Sequence, residues 1–360
     1  MSNRRTIVTG PRGDSFGTHR AIDPPGALPQ PAWRVDNDFS RLFAGEVLLA
    51  VETLNIDAAS FTQMEQEGDV VEIVLRTVAD RGKQHNPRTG SGGMLLGRVL
   101  QVVADGDPTR AEHAEHRERE ALRVGDRVAT LVSLSLTPLR IDRVKAVRRA
   151  SAQIDIDGEA VLFASGRAAR LPSDLPERLA LAALDVAGAA PQVARLVRLD
   201  GVVAILGAGG KSGILCAAEA RRTGGPGACV VGVEANAHAA EQLRSLGLCD
   251  AVLPVDARDP IAVRKAVLQA TGGREADVTF SCVSVPDAEL GAILCTRDRG
   301  VAYFFAMSTS FTRAALGAEG VGKDVDLFIG NGYAHGHADH TLAMLRDMPA
   351  VRALFELRYG

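Results

Sequence analysis

A strand, a glycine-rich turn and a helix follow one another at residues 202–220, VVAILGAGGKSGILCAAEA. Five apolar residues lead into the turn, and small and apolar side chains continue past it at helical spacing. Gly207 suits a tight turn where the strand ends. Gly209 and Gly210 let a backbone come close to a bound phosphate group, and Gly213 permits close packing of helix on strand. Lys211 and Ser212 then open the helix. Two phosphate-binding turns share these traits. A P-loop needs G-x-x-x-x-G-K-[ST], whose first glycine opens a loop that wraps the phosphates. Gly210-Lys211-Ser212 supplies its end, but Ile205 stands in mid-strand where its first glycine belongs, so the loop is too short. From Gly207 the spacing reads G-x-x-G-x-x-G, a dinucleotide turn.

An acidic residue stands at the expected distance. Glu234 ends the next apolar run, ACVVGVEA, about twenty residues past the last glycine, where a carboxylate accepts hydrogen bonds from the adenosine ribose hydroxyls. The same carboxylate repels a 2′-phosphate, so the cofactor expected is NAD rather than NADP. Lys211 either adds charge near the pyrophosphate or is solvated. In a parallel α/β sheet the carboxyl ends of the strands face the ligand. That directs attention to Cys282 and Val283 after VTFS, Met307 and Ser308 after AYFFA, and Asn331 after DLFIG.

The chain of 360 residues is long enough for two domains. Up to about residue 175, short β-branched runs alternate with Gly and Asp breaks, as in GEVLLAVETLNI and VGDRVATLVSL, which predicts a compact, mostly antiparallel β domain. The charged stretch DGDPTRAEHAEHRERE interrupts it as a solvated loop or short helix. From about residue 200 strands and helices alternate, which predicts an α/β fold with a doubly wound parallel sheet. Hydrophobic residues make up 46% and the net charge is −3, which gives no electrostatic footprint for nucleic acid. No apolar run reaches the length of a membrane span and the first twenty residues lack the apolar core of a signal peptide, so a cytoplasmic enzyme with reduced cysteines is expected. The five cysteines contain no C-x-x-C pair and read as small buried hydrophobes.

A β-rich first half, a Rossmann unit and a short C-terminal return resemble the medium-chain dehydrogenase/reductase superfamily. The zinc enzymes there carry Gly-His-Glu where this chain has TGSGG, and a cysteine ligand where it has TLNIDAASFTQ; the four-cysteine structural zinc loop is missing as well. Both metal sites are therefore expected to be absent. More closely, FGTHRAIDPPGALPQPAWRVDND, TGSGGMLLGRV, ATLVSLSLTPLRID, AILGAGGKSGILCA, AYFFAMSTSFTRAALGAEGVGKDV and GNGYAHGHAD resemble the L-erythro-3,5-diaminohexanoate dehydrogenase family over residues 16–359, the charged loop excepted. This resemblance implies a GroES-like substrate domain from 1–175 plus 335–360 and an NAD-binding Rossmann domain from 176–334. It also implies a homodimer paired through sheet edges, acting on a small diamino acid of lysine breakdown. The implied reaction is NAD-dependent oxidative deamination to 5-amino-3-oxohexanoate and ammonium. A quinone or enoyl reductase of the same architecture would favour NADPH, against Glu234. A P-loop phosphotransferase and a nucleotide-sensing protein without catalysis stand further off.

Such a reaction needs a proton acceptor for the amine, an anion for the remaining ammonium and a cation for the substrate carboxylate. Asp57 is the first candidate, because in the superfamily its stretch lines the cleft beside the nicotinamide; it also fits as the cap of a following helix. Ser91 stands between glycines where relatives hold zinc. Arg140 is a candidate for the carboxylate or for a surface ion pair. Glu319 and Lys323 offer both charge signs on a glycine-containing loop. His335, His337 and His340 cluster without a Cys or acidic ligand at metal spacing, so no metal site is assigned.

Overall fold

The computed structural model describes residues 6–7, 13–88, 90–104, 122–306, 308–330 and 332–359. The chain divides after Ser173 into two compact units.

In the first unit, β1 (Thr6–Ile7) pairs in parallel with β4 (Arg41–Leu42), and β2 (Ala21–Asp23) pairs antiparallel with β3 (Arg34–Val35). Its main sheet holds β5 (Val47–Asn55), β6 (Met94–Val102), β7 (Arg127–Thr130), β8 (Leu139–Arg148), β9 (Gln153–Leu162) and β10 (Ala168–Arg170). Their order is β10-β7-β6-β5-β9-β8, antiparallel throughout. This is the GroES-like half of the expected fold. Alternation buries Val47, Leu49 and Val51 of β5 against Leu95, Val99, Ile154 and Ile156 in one core. The strand-and-turn reading left out one feature, a helical pair inserted between β5 and β6. Helix α1 (Ala58–Glu67) is capped by Asp57, whose Oδ1 accepts the Ser60 N–H at 2.8 Å. Helix α2 (Val70–Arg81) is capped by Asp69, accepting from Val71 N–H at 2.7 Å, and ends at Gly82 with φ 72°. Each apolar stripe, Phe61 and Met64 on α1 and Val70, Ile73 and Val74 on α2, joins the sheet core.

The second unit opens with α3 (Glu177–Leu184) and α4 (Ala189–Leu196). Strands and helices then alternate: β11 (Val202–Leu206), α5 (Lys211–Gly224), β12 (Cys229–Val233), α6 (Ala237–Ser245), β13 (Ala251–Leu253), α7 (Pro260–Ala270), β14 (Ala276–Ser281), α8 (Glu289–Cys295), β15 (Thr296–Phe304), α9 (Phe311–Gly320) and β16 (Asp326–Ile329). The sheet order is β13-β12-β11-β14-β15-β16, every pairing parallel. In sequence terms this is 3-2-1-4-5-6, the Rossmann order, with its switch point between β11 and β14. Strand β11 is buried along its whole length, as its uninterrupted apolar run requires.

Helices α10 (His337–Asp347) and α11 (Pro349–Tyr359) close the chain. The expectation that residues 335–360 return to the first unit differs from the observed packing. Thr341 Oγ1 donates to Ala187 O at 2.9 Å and Arg346 pairs with Asp174 at 2.7 Å, both inside the second unit. Among the described residues, no single helix is long and apolar enough to cross a membrane.

Candidate functional site

Strand β11 delivers the chain to Gly207, whose φ of 71° is left-handed and disfavours any side chain. A Cβ on Gly207 would also stand 3.1 Å from Cys282 O and 3.2 Å from Val283 N, so the end of β14 is pressed against the turn. At Gly209 a Cβ would meet Glu234 Oε2 at 2.9 Å and Ala239 Cβ at 2.8 Å. At Gly213 it would meet Gly207 O at 2.2 Å. Gly210 differs, because its Cβ would find only Gly207 O at 3.5 Å, an ordinary contact. Three of the four glycines are therefore fixed by sterics and the fourth is not.

The amides of the turn divide into two groups. Gly207 and Ala208 N–H donate to Val233 O at 2.9 and 3.2 Å, and Gly210 N–H to Gly207 O at 3.1 Å. Gly209 N–H donates to Glu234 Oε2 at 2.9 Å, while Glu234 Oε1 accepts from Asn236 N–H at 2.9 Å. Glu234 thus stands beside the turn, where the sequence expects it, but one of its oxygens already holds a loop amide. No side chain caps α5. Its first-turn amides, at Lys211, Ser212 and Gly213, have no place in the helical ladder and face the mouth of the turn. That end of a helix, with a backbone bare of side chains before it, fits the diphosphate of a dinucleotide. A triphosphate wrap does not fit, since Ile205 is fully buried within β11.

Lys211 is not a free cation at this mouth. Its Nζ lies 2.5 Å from Asp185 Oδ2 and 5.5 Å from the Tyr359 ring centroid. Ser212 is half-buried in the first turn of α5. Cys282 N–H donates to Leu206 O at 2.9 Å, and its Sγ lies 3.8 Å from that of Cys216. Ser308 donates to Val283 O at 3.1 Å, tying the segment after β15 to that after β14. Met307 and Asn331 lie outside the described residues. One residue escaped sequence reasoning altogether. Arg358 Nη1 donates to Gly209 O at 2.6 Å, with its Nε on Gln242 Oε1 at 2.9 Å. Gly209 is held at its amide by Glu234 and at its carbonyl by Arg358. No local pattern signals a contact across that much chain.

In the first unit, Asp57 and Ser91 come together. Ser91 Oγ donates to Asp57 Oδ2 at 2.7 Å, while Asp57 Oδ1 caps α1. Capping and a candidate site role therefore coexist in one carboxylate. Glycines hold this arrangement: a Cβ on Gly93, at φ 75°, would fall 2.3 Å from Asn55 O, and one on Gly92 2.3 Å from Ser135 N.

Three candidates stand elsewhere. Arg140, on the edge strand β8, donates to Asp142 Oδ1 at 2.9 Å and Glu159 Oε2 at 2.7 Å, so its fork is engaged in ion pairs. Lys323 donates to Glu275 Oε2 at 2.6 Å and Thr296 O at 2.7 Å. Glu275 and Thr296 mark the starts of β14 and β15, so Lys323 lies at the edge of the sheet opposite the glycine turn. Glu319 is exposed in the last turn of α9, on the way to that same edge. The physical reason is topological: a helix-to-strand connection in a parallel sheet lies at the amino ends of the strands, whereas ligands bind at the carboxyl ends. His340 Nε2 meets buried Glu219 Oε2 at 3.1 Å, and buried His337 packs edge-on to Tyr333. Among the described residues, no group of His, Cys, Asp and Glu is arranged to hold a metal ion.

Known proteins show the same architecture and a much nearer kinship. An alcohol dehydrogenase from Thermotoga maritima superposes with a TM-score of 0.55 at 16% identity, covering 87% of this chain and 85% of that one. The structure of AibC gives 0.54 at 19% identity, covering 86% and 82%. The family model described as L-erythro-3,5-diaminohexanoate dehydrogenase N-terminal domain matches residues 19–172. L-erythro-3,5-diaminohexanoate dehydrogenase of Acetoanaerobium sticklandii is 47% identical over 353 residues, 97% of this chain and 99% of the relative. That of Fusobacterium nucleatum subsp. nucleatum is 48% identical over the same length and shares. A dinucleotide-type turn in a Rossmann unit, a GroES-like partner unit and end-to-end identity of this degree lead to one assignment: the chain is an oxidoreductase of the L-erythro-3,5-diaminohexanoate dehydrogenase family.

Proposed function

We propose that this protein catalyses NAD-dependent oxidative deamination of L-erythro-3,5-diaminohexanoate to 5-amino-3-oxohexanoate and ammonium, a step of lysine breakdown. The observation that carries the substrate is near-full-length identity to relatives of that name. For the cofactor, support comes from Glu234. Its carboxylate at the end of β12, bonded to Gly209 N–H, suits ribose hydroxyls and opposes a 2′-phosphate.

Bound nicotinamide supplies the hydride acceptor. The chain's own residues bind and orient: the first-turn amides of α5 hold the diphosphate, and Glu234 holds the adenosine ribose. The Asp57–Ser91 pair offers an anionic group suited to one of the substrate's two ammonium ions. A cytoplasmic homodimer belongs to the same proposal. Strand β16 is a sheet edge whose Phe328 is 45% and Ile329 60% exposed, an apolar edge suited to pairing with a second copy.

The test uses purified protein, the diamino acid, and either NAD or NADP, with a chelator control. Reduced nicotinamide and ammonium should appear in equal amounts, faster with NAD and unaffected by the chelator. Reduced nicotinamide without ammonium, or a preference for NADP, would overturn the corresponding half of the reading.

A further inference from the structure

Oxidation of an amine needs a proton acceptor first, because an ammonium nitrogen has no lone pair with which to expel hydride from its carbon. The residues discussed so far leave that role open. Arg140 and Lys323 are paired, and Asp57 accepts the Ser60 N–H and the Ser91 O–H, one on each oxygen. The segment between Gly82 and Gly93 holds a better acceptor.

His85 Nδ1 lies 3.1 Å from the main-chain oxygen of Asn86. A carbonyl can only accept, so Nδ1 carries the proton and Nε2 keeps its lone pair. Asn86 is itself fixed. It is buried, its N–H donates to Ser91 O at 2.6 Å, and its Nδ2 donates to Gln63 Oε1 on α1 at 2.8 Å. The residue that sets the imidazole tautomer is therefore bonded directly to Ser91, and Ser91 to Asp57. Half-burial is the main influence on the ring's titration and favours the neutral form. The Asn86 carbonyl opposes it, and the nearby cations Lys83 and Arg81 act with burial, so the net shift is downward. The histidine pKa accordingly sits below its ordinary value, and a neutral imidazole is ready at neutral pH.

We propose that His85 Nε2 is the base that takes a proton from the C3 ammonium group of the substrate; this rests on the deamination reading above. The step balances simply. The N–H bond breaks and its proton passes to Nε2, leaving a neutral amine. C3 then yields a hydride to the nicotinamide as its nitrogen lone pair forms a C=N bond. Water adds to that carbon and the C–N bond breaks, releasing ammonium and the ketone. The proton on Nε2 is the one released to solvent in the overall reaction.

The test compares wild type with His85→Asn. Wild-type kcat/KM should fall about tenfold per pH unit below the histidine pKa. The variant should lose about 10²–10⁴-fold in kcat, lose that acid limb, regain rate with added imidazole, and keep the wild-type dissociation constant for NAD. Should the variant fail to fold, diethyl pyrocarbonate gives the same decision on the unaltered enzyme: one histidine modified, activity lost, substrate protecting. A variant, or a modified enzyme, with wild-type rate and pH profile would defeat this assignment alone. No turnover of the diamino acid by wild type would defeat the deamination reading and this assignment with it.

Discussion

Alanine at two neighbouring glycines separates a cradle shaped by sterics from one that merely happens to be glycine-rich. At Gly213 a Cβ would lie 2.2 Å from Gly207 O, 2.6 Å from Ala208 Cα and 2.7 Å from Ala208 C, all backbone atoms with no rotamer to yield. The closest comfortable C···O approach is about 3.3 Å, so helix and turn must part by roughly 1 Å. Overpacking of this kind costs about 1–3 kcal/mol. Spread over a unit of this size it lowers the melting temperature by about 2–4 °C per kcal/mol. The same displacement carries the α5 amides away from the phosphates. If about 1.4 kcal/mol of that falls on binding, the dissociation constant for NAD rises tenfold. At Gly210 the Cβ meets one atom at 3.5 Å, and φ is −77°. Gly210→Ala should therefore bind NAD and melt as wild type does. Isothermal titration calorimetry with NAD, beside thermal melts of the ligand-free proteins, reads both terms. Wild-type affinity in Gly213→Ala, or equal damage from Gly210→Ala, would refute the reasoning.

Two further substitutions bear on the same turn. Glu234→Ala should shift the NAD-to-NADP affinity ratio toward NADP. Unit charges about 4 Å apart at an effective dielectric near 20 interact by about 4 kcal/mol, and solvent screening of a half-exposed carboxylate reduces this to about 1–2 kcal/mol, or roughly five- to thirtyfold by paired titrations. Arg358→Ala removes a charge-assisted bond to Gly209 O and should weaken NAD about three- to tenfold, while Arg352→Ala, which breaks a pair with Glu356 on the same helix, should leave affinity unchanged.

Much of the second unit was legible because its signals are local. A buried apolar run, glycines at fixed offsets and an acid one βα unit later are all set by short-range geometry, and each appears where the pattern puts it. The antiparallel sheet of the first unit was legible for the same reason, in its alternation and its Gly and Asp breaks. Helix α1 was already open in the alternative that Asp57 caps a following helix, whereas α2 could have been read from its cap Asp69 and its closing Gly82, but strand-like flanks drew the reading away. Lys323 and Glu319 stand away from the glycine turn for a different reason. Their charges suggested function, yet the rule that places helix-to-strand connections at the far edge of the sheet already argues against them. Arg358 and the Asp57–Ser91 contact depend on tertiary proximity, which no window of sequence carries. His85 stayed hidden because a lone histidine gains meaning only when its ring partner is known.

Under the proposed NAD assignment, the bond from Gly209 N–H to Glu234 Oε2 makes one carboxylate both the latch of the loop and the reader of the adenosine sugar. Those two duties cannot be tuned independently. A chain drifting or engineered toward the phosphorylated nicotinamide must find a neutral acceptor that keeps the latch closed, so single replacements at this position should trade away total affinity, and real exchange of preference should require compensation nearby.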